Sequence, residues 1–545
     1  MATPTSNTVP YADVYETGIL AYDALLGGTK WGDGALGMTV AVTYSFPGET
    51  SYWASDYYDG EPWSASYAGF NALQKAAAEQ AMAALSNVSG LTFNKVVDTQ
   101  STVGEIRFAW TEAGGEQAHA YYPGGYAEAG DVWLNASADW SDFAPGSYDY
   151  LTLIHELGHA LGLKHTFSGN AALPTEVDSL AYSVMSYTTY TGMPDSWADF
   201  YPTTPMSFDI AAIQYLYGAN TTHHAGDDIY TFNQGQHYFE TLWDAGGKDT
   251  IVWKGSTESA EINLRPGAWS DLGNSLHYYD VSSMAMDYLY ATDPYTVMIY
   301  VDTIIENATG GAAADRLIGN AVANTLNGGA GNDTLEGGRG NDIYIVAQTG
   351  DRVVESGGAG TDTVRSTITY TLPANVEKLI LTGSTASNGN GNGLANTLTG
   401  NGAANVLKGA GGADKLIGGK GNDVLSGGLG NDTLSGGSGL DYFVFNTTPS
   451  GTANRDLITD FISGTDHIRI DDQVFTAVGA LGAFKVNDVR FHIGAAAHDA
   501  SDRIIYNAST GALYYDADGT GAAVQVQFAI LGATASMAAT DLIVV

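Results

Sequence analysis

His155-Glu156-Leu157-Gly158-His159-Ala160-Leu161-Gly162-Leu163-Lys164-His165 is the stretch on which the reading of this chain turns. The chain holds eleven histidines, and three of them fall here. On a helix, His155 and His159 stand at i and i+4, so both imidazoles leave one face a single turn apart. Two nitrogens so placed can reach one metal ion at about 2.0–2.1 Å. Glu156 lies one position round from His155, close enough to reach a metal-bound water without being a ligand. Glycine tolerates the left-handed backbone found where helices stop, so Gly162 predicts a sharp turn that brings His165 back as a third nitrogen donor. Three protein ligands with a fourth position left for water is the pattern of a catalytic zinc. A buried helix carrying histidines by chance would lack the added glycine and third histidine.

Downstream stands Ser183-Val184-Met185-Ser186-Tyr187. The long histidine motif followed by this Met-turn resembles the metzincin zinc endopeptidases, and the tyrosine two places after Met185 resembles the astacin and serralysin branches. The resemblance implies that His155, His159 and His165 hold zinc, that Glu156 is the general base and that Met185 forms an apolar floor beneath the metal. It further implies that Tyr187 approaches the zinc as a further ligand and swings aside to help hold the transition-state oxyanion. It makes the aromatic segment with Tyr190, Trp197, Phe200 and Tyr201 the wall of the pocket beyond the scissile bond.

Upstream, Met38–Phe46, Leu91–Val97, Glu105–Thr111, Ala118–Tyr122 and Asp131–Asn135 read as strands. Residues 66–87 read as a helix, with Phe70, Leu73, Ala77, Ala81 and Leu85 at helical spacing. The zinc helix should begin near Tyr148, and Phe208–Tyr217 reads as an amphipathic helix. By resemblance, Ala118, His119, Ala120 and Tyr121 form the sheet edge beside the cleft. There an extended substrate peptide adds as a strand. His119 is expected to be a surface strand residue and not a fourth ligand.

A second signal begins at Gly310. A nine-residue frame recurs at Gly319, Gly328 and Gly337, resumes at Gly391 and runs in phase to Gly436. GGAGNDTLE (328–336) and GGKGNDVLS (418–426) show it most clearly. This is the Gly-Gly-x-Gly-x-Asp-x-apolar-x pattern of calcium-binding RTX repeats. Six residues make a turn whose carbonyls and Asp carboxylate point inward, and three make a short strand whose apolar residue fills a parallel β-roll. Calcium takes 6–8 oxygens, so neighbouring turns must share each ion. The expected calcium positions in the first array are Glu306, Gly311, Ala313, Asp315, Gly329, Gly331, Asp333, Gly338, Gly340 and Asp342. In the second they are Gly412, Asp414, Gly419, Gly421, Asp423, Gly428, Gly430, Asp432, Gly437, Gly439 and Asp441. Asn324, Asn396 and Asn405 replace the aspartate, so those turns should bind weakly; Ala410 replaces the second glycine. His224, Gly226 and Asp228, with Asp244, Gly246, Gly247 and Asp249, resemble the two halves of the first calcium site in serralysins.

Both signals in this order resemble the serralysin family of secreted bacterial metalloproteases. The expected fold is an α+β metzincin domain, a mixed twisted sheet plus the zinc-site helix, followed by an all-β half containing a parallel β-roll. The expected segments are an N-terminal extension or pro-segment (1–35), the protease domain (36–218) and a β-rich connector (219–309). The first array (310–345), a β-rich interlude (346–390), the second array (391–445) and a β cap (446–545) follow. One catalytic zinc and several structural calcium ions are the expected cofactors. The expected partners are protein or peptide substrates, the type I secretion machinery and a proteinaceous inhibitor, with the chain itself a monomer.

Composition sets outer bounds. The net charge is −39 over 545 residues. Up to residue 220 the only cations are Lys30, Lys75, Lys95, Arg107 and Lys164, which excludes a phosphate backbone as partner. With no cysteine there is no disulfide framework, leaving packing and metal ions to stabilise a secreted chain. The first residues show no basic or apolar region of a Sec signal, and no apolar run spans a bilayer. The ending Asp541-Leu542-Ile543-Val544-Val545 resembles the tail of proteins exported by type I secretion. A rival reading, a calcium-dependent adhesin or surface-layer-associated protein with a vestigial protease domain, predicts a broken Glu or His; here all are intact.

Overall fold

A computed structural model describes residues 9–54, 57–99, 102–112, 116–193, 196–280, 289–532 and 535–545. The chain forms two units, one of residues up to 253 with 265–305, the other of 254–264 with 306–545.

The first unit is built on a six-stranded sheet. Its strands β1 (Val40–Ser45), β2 (Leu91–Lys95), β3 (Ile106–Thr111), β4 (Ala118–Ala120) and β5 (Val132–Asn135) run in the order β2-β1-β3-β5-β4. All pair in parallel except β4, which lies antiparallel on β5 and ends that order. The five strands read from alternation are thus all present. Helix α1 (Ala72–Val88) starts later than its apolar spacing suggested. Asn71 caps it, its side chain accepting from the Gln74 N–H at 3.0 Å while Gln74 accepts from the Asn71 N–H at 2.8 Å. Ala77, Ala81, Leu85 and Val88 are buried, but Leu73, in the first turn, is 77 % exposed.

Helix α2 (Tyr148–Ala160) carries the histidine motif and is capped by Ser147, whose hydroxyl accepts from the Tyr150 N–H. Nearly every side chain on it is buried. Helix α3 (Ser207–Tyr217) packs into the same core through Ile210, Ile213, Leu216 and Tyr217. The N-terminal segment joins that core: Ala24, Leu25 and Trp31 are fully buried, and Tyr22 stacks on Tyr215 at 5.0 Å.

The second unit is a coiled stack of short parallel strands. In one sheet Leu326, Tyr344, Val364, Leu379, Leu398, Leu416 and Leu434 fall in successive register, each fully buried. The stack therefore runs unbroken through residues 346–390. Regular coils put partners eighteen residues apart, as Asn396 and Asp414 are; within 346–390 the steps become twenty (Asp342 to Asp362) and fifteen (Asp362 to Glu377). Beyond the repeats, Leu542–Val544 lies between His467–Ile470 and Gly482–Ala483, with Leu542 and Val544 buried. Among the described residues no helix is long and apolar enough to cross a membrane.

Candidate active site

The C-terminal end of α2 is a Schellman motif. The Leu163 N–H reaches the Gly158 carbonyl at 2.8 Å, and the Gly162 N–H reaches the His159 carbonyl at 2.9 Å. Gly162 has φ 99°, and a Cβ there would stand 2.2 Å from the Thr29 carbonyl oxygen. This turn sends the chain back so that His165 faces the helix. The last helical carbonyls are satisfied from outside: Trp31 Nε1–H donates to Ala160 and the Tyr217 hydroxyl to Leu161.

The three Nε2 atoms converge, His159 to His165 at 3.0 Å and His165 to His155 at 3.1 Å. Nδ1–H of His155 donates to the Val184 carbonyl at 2.8 Å, and Nδ1–H of His159 to the Leu163 carbonyl at 2.7 Å. A carbonyl can only accept, so each of these rings keeps its proton on Nδ1 and aims an Nε2 lone pair at the common point. Burial holds all three histidines below their usual range, with neighbouring imidazoles adding to it at His155 and His159, the latter at about 4, so the rings are neutral. Lone pairs facing one another this closely repel unless a cation lies between them. Ligand nitrogens about a tetrahedral zinc sit roughly 3.3 Å apart, so the donor set fits zinc.

Met185 is fully buried under the cluster; a Cβ on Gly158 would lie 2.5 Å from its sulfur. The turn carrying Met185 is tied by Asp209 of α3. The Asp209 carboxylate accepts from the Ser183 hydroxyl (2.6 Å), the Val184 N–H (2.7 Å) and the Met206 N–H (2.8 Å). Sequence reasoning passed over Asp209, reading its helix only for apolar spacing; a lone acid within an apolar run was the available signal. Because Met185 is fully packed against Gly158, the added methyl of Gly158→Ala is expected to overpack the site and cost about 1–3 kcal/mol. Urea denaturation of the zinc-loaded variant checks this.

Glu156 is only 6 % exposed, and its Oε2 has no hydrogen-bond partner. Burial, with like charge on Glu116, pushes its carboxyl up to about 8. Tyr187 is 62 % exposed; its ring lies 4.5 Å from that of His165 and 5.6 Å from that of His155. These groups line a cleft of about 530 Å³ with Glu116, Ala118, Tyr148 and Thr152. Edge strand β4 thus reaches the cleft through Ala118. His119 turns elsewhere, its Nε2 2.6 Å from Glu61, which also accepts from the Tyr121 hydroxyl. The expected aromatic wall is placed differently: Tyr190 packs on Tyr278 and Trp197 on Tyr279, and neither lines the cleft, whose far side is Leu180, Val184 and Thr189.

Residues 70–185 match the family model for matrixin, 151–231 that for Met-zincin, and 208–287 that for the peptidase M10 serralysin C terminal. Residues 309–344, 390–425 and 409–443 match the RTX calcium-binding nonapeptide repeat. Over these residues the chain is similar to serralysin-type metalloproteases. It is 35 % identical to Serralysin C of Dickeya chrysanthemi over 46 % of this chain and 54 % of that protein. It is 33 % identical to Serralysin of Proteus mirabilis over 51 % and 59 %, and 30 % identical to Metalloprotease AprA of Pseudomonas entomophila over 54 % and 62 %. The matched stretch thus spans between about half and three-fifths of these relatives.

The serralysin-type calcium positions form two groups. In the first unit Asp228, Asp244 and Asp249 bring one carboxylate oxygen each within 4.8 Å of the others. His224 has φ 50° and its Nδ1 lies 3.1 Å from Asp228, while a Cβ on Gly247 would meet the Gly226 carbonyl at 2.1 Å. Gly246 donates its N–H to Asp244. In the roll, Asp333, Asp342, Asp414, Asp423, Asp432 and Asp441 each keep one buried Oδ2 without a partner. Buried polar atoms are normally satisfied, so a repeated orphan oxygen marks where a hard cation fits. Carbonyls crowd the same turns: a Cβ on Gly329 would meet the Gly311 oxygen, and one on Gly331 the Ala313 oxygen. Gly338, Gly340, Gly412, Gly419, Gly421, Gly428, Gly430, Gly437 and Gly439 repeat that positive-φ turn. Ala410, standing where the pattern wants glycine, is held at φ 79°.

One expected position differs. Asp315 has no orphan oxygen, since Gly311 and Ala260 N–H groups occupy it. Glu306 uses its carbonyl to accept from Asn324. The asparagine turns are closed without an ion. The Asn405 amide accepts from Asn401 and donates to the Ser387 carbonyl, and Asn324 and Asn396 are tied in the same way.

Proposed function

We propose that this chain is a secreted zinc endopeptidase that hydrolyses internal peptide bonds of proteins. The observation that carries the reading is the convergence of three Nε2 lone pairs at a cleft that Glu156, with its unpartnered Oε2, and the edge-strand residue Ala118 also line. His155, His159 and His165 would hold zinc, which when bound polarises the scissile carbonyl and lowers the pKa of its water toward about 7. Glu156 takes the proton of the attacking water and returns it to the leaving amine. With zinc held by the three histidines, Glu156 would ionise more readily than its burial alone allows and so would serve as a base. Tyr187, exposed at the cleft wall and so free to move, donates its hydroxyl hydrogen to the oxyanion. The edge strand Ala118–Ala120 supplies main-chain N–H and C=O groups to an extended peptide, which asks little of its side chains.

The acidic roll would fold around calcium outside the cell, and export would run through the type I machinery. A small proteinaceous inhibitor could enter the same cleft. The intact Glu156, Tyr187 and His155–His159–His165 set argues against an adhesin with a vestigial protease domain. Casein incubated with the purified protein, with and without zinc removal, followed by sequencing of the fragments, tests the reading. Intact casein in the zinc-loaded sample would overturn it. In the same assay Tyr187→Phe is expected to lower kcat by roughly 10–100-fold with little change in KM, since the lost bond belongs to the transition state. A change confined to KM would make Tyr187 a substrate-binding residue.

A further inference from the structure

In the first unit the strands Trp269–Asp280 and Leu289–Ile299 pair antiparallel over most of their length. The first of them also pairs with Ser196–Ala198, Tyr278 opposite Ala198 and Asp280 opposite Ser196. The segment that follows the Met-turn is therefore held against these strands. Tyr190 packs on Tyr278 at 4.6 Å, and the Thr189 hydroxyl donates to the Ser196 carbonyl at 2.8 Å. Segment and strands enclose a second pocket, of about 260 Å³. Thr189 lines both this pocket and the catalytic cleft. Leu180 lines the cleft, while its neighbours Ser179 and Ala181 line the pocket. The pocket thus lies next to the cleft, beyond its far side.

Its walls are aromatic. Tyr182, Tyr190, Trp269, Tyr278 and Tyr295 line it, together with Phe239, whose ring lies 6.3 Å from that of Trp269. One acid stands among them, Asp293. A break in the strand pairing sits at this residue. Asp271 is opposite Tyr295 and Leu276 opposite Asp293, and Pro294 between the last two has no N–H to give. The Tyr295 N–H donates to Asp293 Oδ1 at 2.9 Å. Burial raises the Asp293 carboxyl, and no cation acts on it. None is at hand in the lining segments. Residues 179–191 and 269–295 contain no lysine or arginine, and their one histidine, His277, is paired with Asp199.

We propose that this pocket is a substrate subsite that takes a basic side chain, arginine above all, of a polypeptide lying in the cleft. The negative faces of aromatic rings attract a cation, and a carboxylate on the wall fixes its charge. Arginine fits better than lysine, because its planar guanidinium stacks on rings and meets a carboxylate with two N–H groups. The volume suits one long side chain, since sites for drug-sized ligands begin at about 300 Å³. The subsite would add selectivity to a cleft whose edge strand reads only main chain. As a place for substrate it rests on the endopeptidase reading; its preference for a cation does not.

The test uses the full-length, zinc- and calcium-loaded chain carrying Glu156→Ala, so that peptides bind without being cut. One arginine is moved along an otherwise uncharged peptide, and each peptide has a twin with citrulline, which keeps the shape without the charge. Calorimetry should show arginine favoured by about 10-fold at one position. Asp293→Asn should abolish that preference. The amide keeps an oxygen for the Tyr295 N–H, so folding should survive, and circular dichroism checks this. Tyr295→Leu, at a wall residue 43 % exposed, should reduce the preference, and Glu49→Gln, at an exposed acid outside the pocket, should keep it. The net charge of −39 would favour arginine at every position alike, and Glu116 in the cleft would favour it at a position of its own. Equal preference at all positions, or a preference that Glu116→Gln abolishes and Asp293→Asn leaves, would overturn the proposal. The same peptides offered to the chain with Glu156 intact separate the two readings. Hydrolysis without the arginine preference would overturn the pocket alone. The preference without hydrolysis would sustain the pocket and overturn the endopeptidase reading.

Discussion

Glu156→Ala is expected to lower kcat for peptide hydrolysis by at least ~10²–10⁴-fold while the chain keeps its zinc. The two halves of that expectation have separate grounds. The rate loss follows from removing a buried carboxylate that lines the same cleft as His155 and Tyr187. Retention of zinc follows from how the imidazoles are held. Val184 and Leu163 carbonyls orient His155 and His159, and the Schellman turn at Gly162 returns His165; Glu156 has no part in either. A third readout separates catalysis from structure. Glu156 Oε2 is buried without a partner, so its removal leaves no group newly unsatisfied, and the metal-free variant should melt no lower than wild type. Hydrolysis at the wild-type rate, with zinc confirmed by elemental analysis, would falsify the general-base assignment.

The histidine motif was legible because each of its parts encodes local geometry. The i, i+4 spacing places two ligands, and a glycine that a Schellman turn requires places the third. The supports of the site were not legible, because they come from far along the chain. Trp31 caps a carbonyl on α2 across 129 residues, and Asp209 ties the Met-turn across 26. Neither belongs to a periodic pattern. The segment 346–390 fell outside the repeat frame for a related reason. A coil of a β-roll tolerates added or missing residues at its turn, so the nine-residue phase is lost while the stacking register persists from Tyr344 to Val364 to Leu379. What carries through is the ladder of main-chain N–H groups donating to acids, and Asp362 and Glu377 were its visible traces in the sequence. Leu73 shows the converse. Its spacing fitted a buried face, yet it falls in the first turn after the Asn71 cap and is exposed.

Removing calcium from the full chain at pH 8, with zinc retained, is expected to abolish most of the β-structure of residues 306–545; acidification should restore part of it. Glu156→Ala is the suitable background, since it prevents self-cleavage. The buried aspartates of the roll are pushed up, Asp333 and Asp423 to about 6, Asp414 to about 7 and Asp456 to about 8, by burial, with neighbouring carboxylates adding to it. In the unfolded chain such groups titrate near about 3.9. Between that value and the raised ones, the folded state binds more protons than the unfolded. Stability of the ion-free roll therefore falls as pH rises through about 4 to 8, the reverse of the usual carboxylate dependence. Protons and calcium answer the same charge, so the stabilisation by calcium should be small near pH 5 and largest at pH 8. Each ion that binds only the folded form adds to stability by mass action, and several sites add together. Calcium well above about 10⁻³ M should thus restore the full β-signal at pH 8. Circular dichroism over a grid of pH and calcium reads both effects. A β-signal at pH 8 that is unchanged by calcium removal, or an ion-free roll that becomes more stable as pH rises from 5 to 8, would show that the orphan oxygens do not govern the fold of this half.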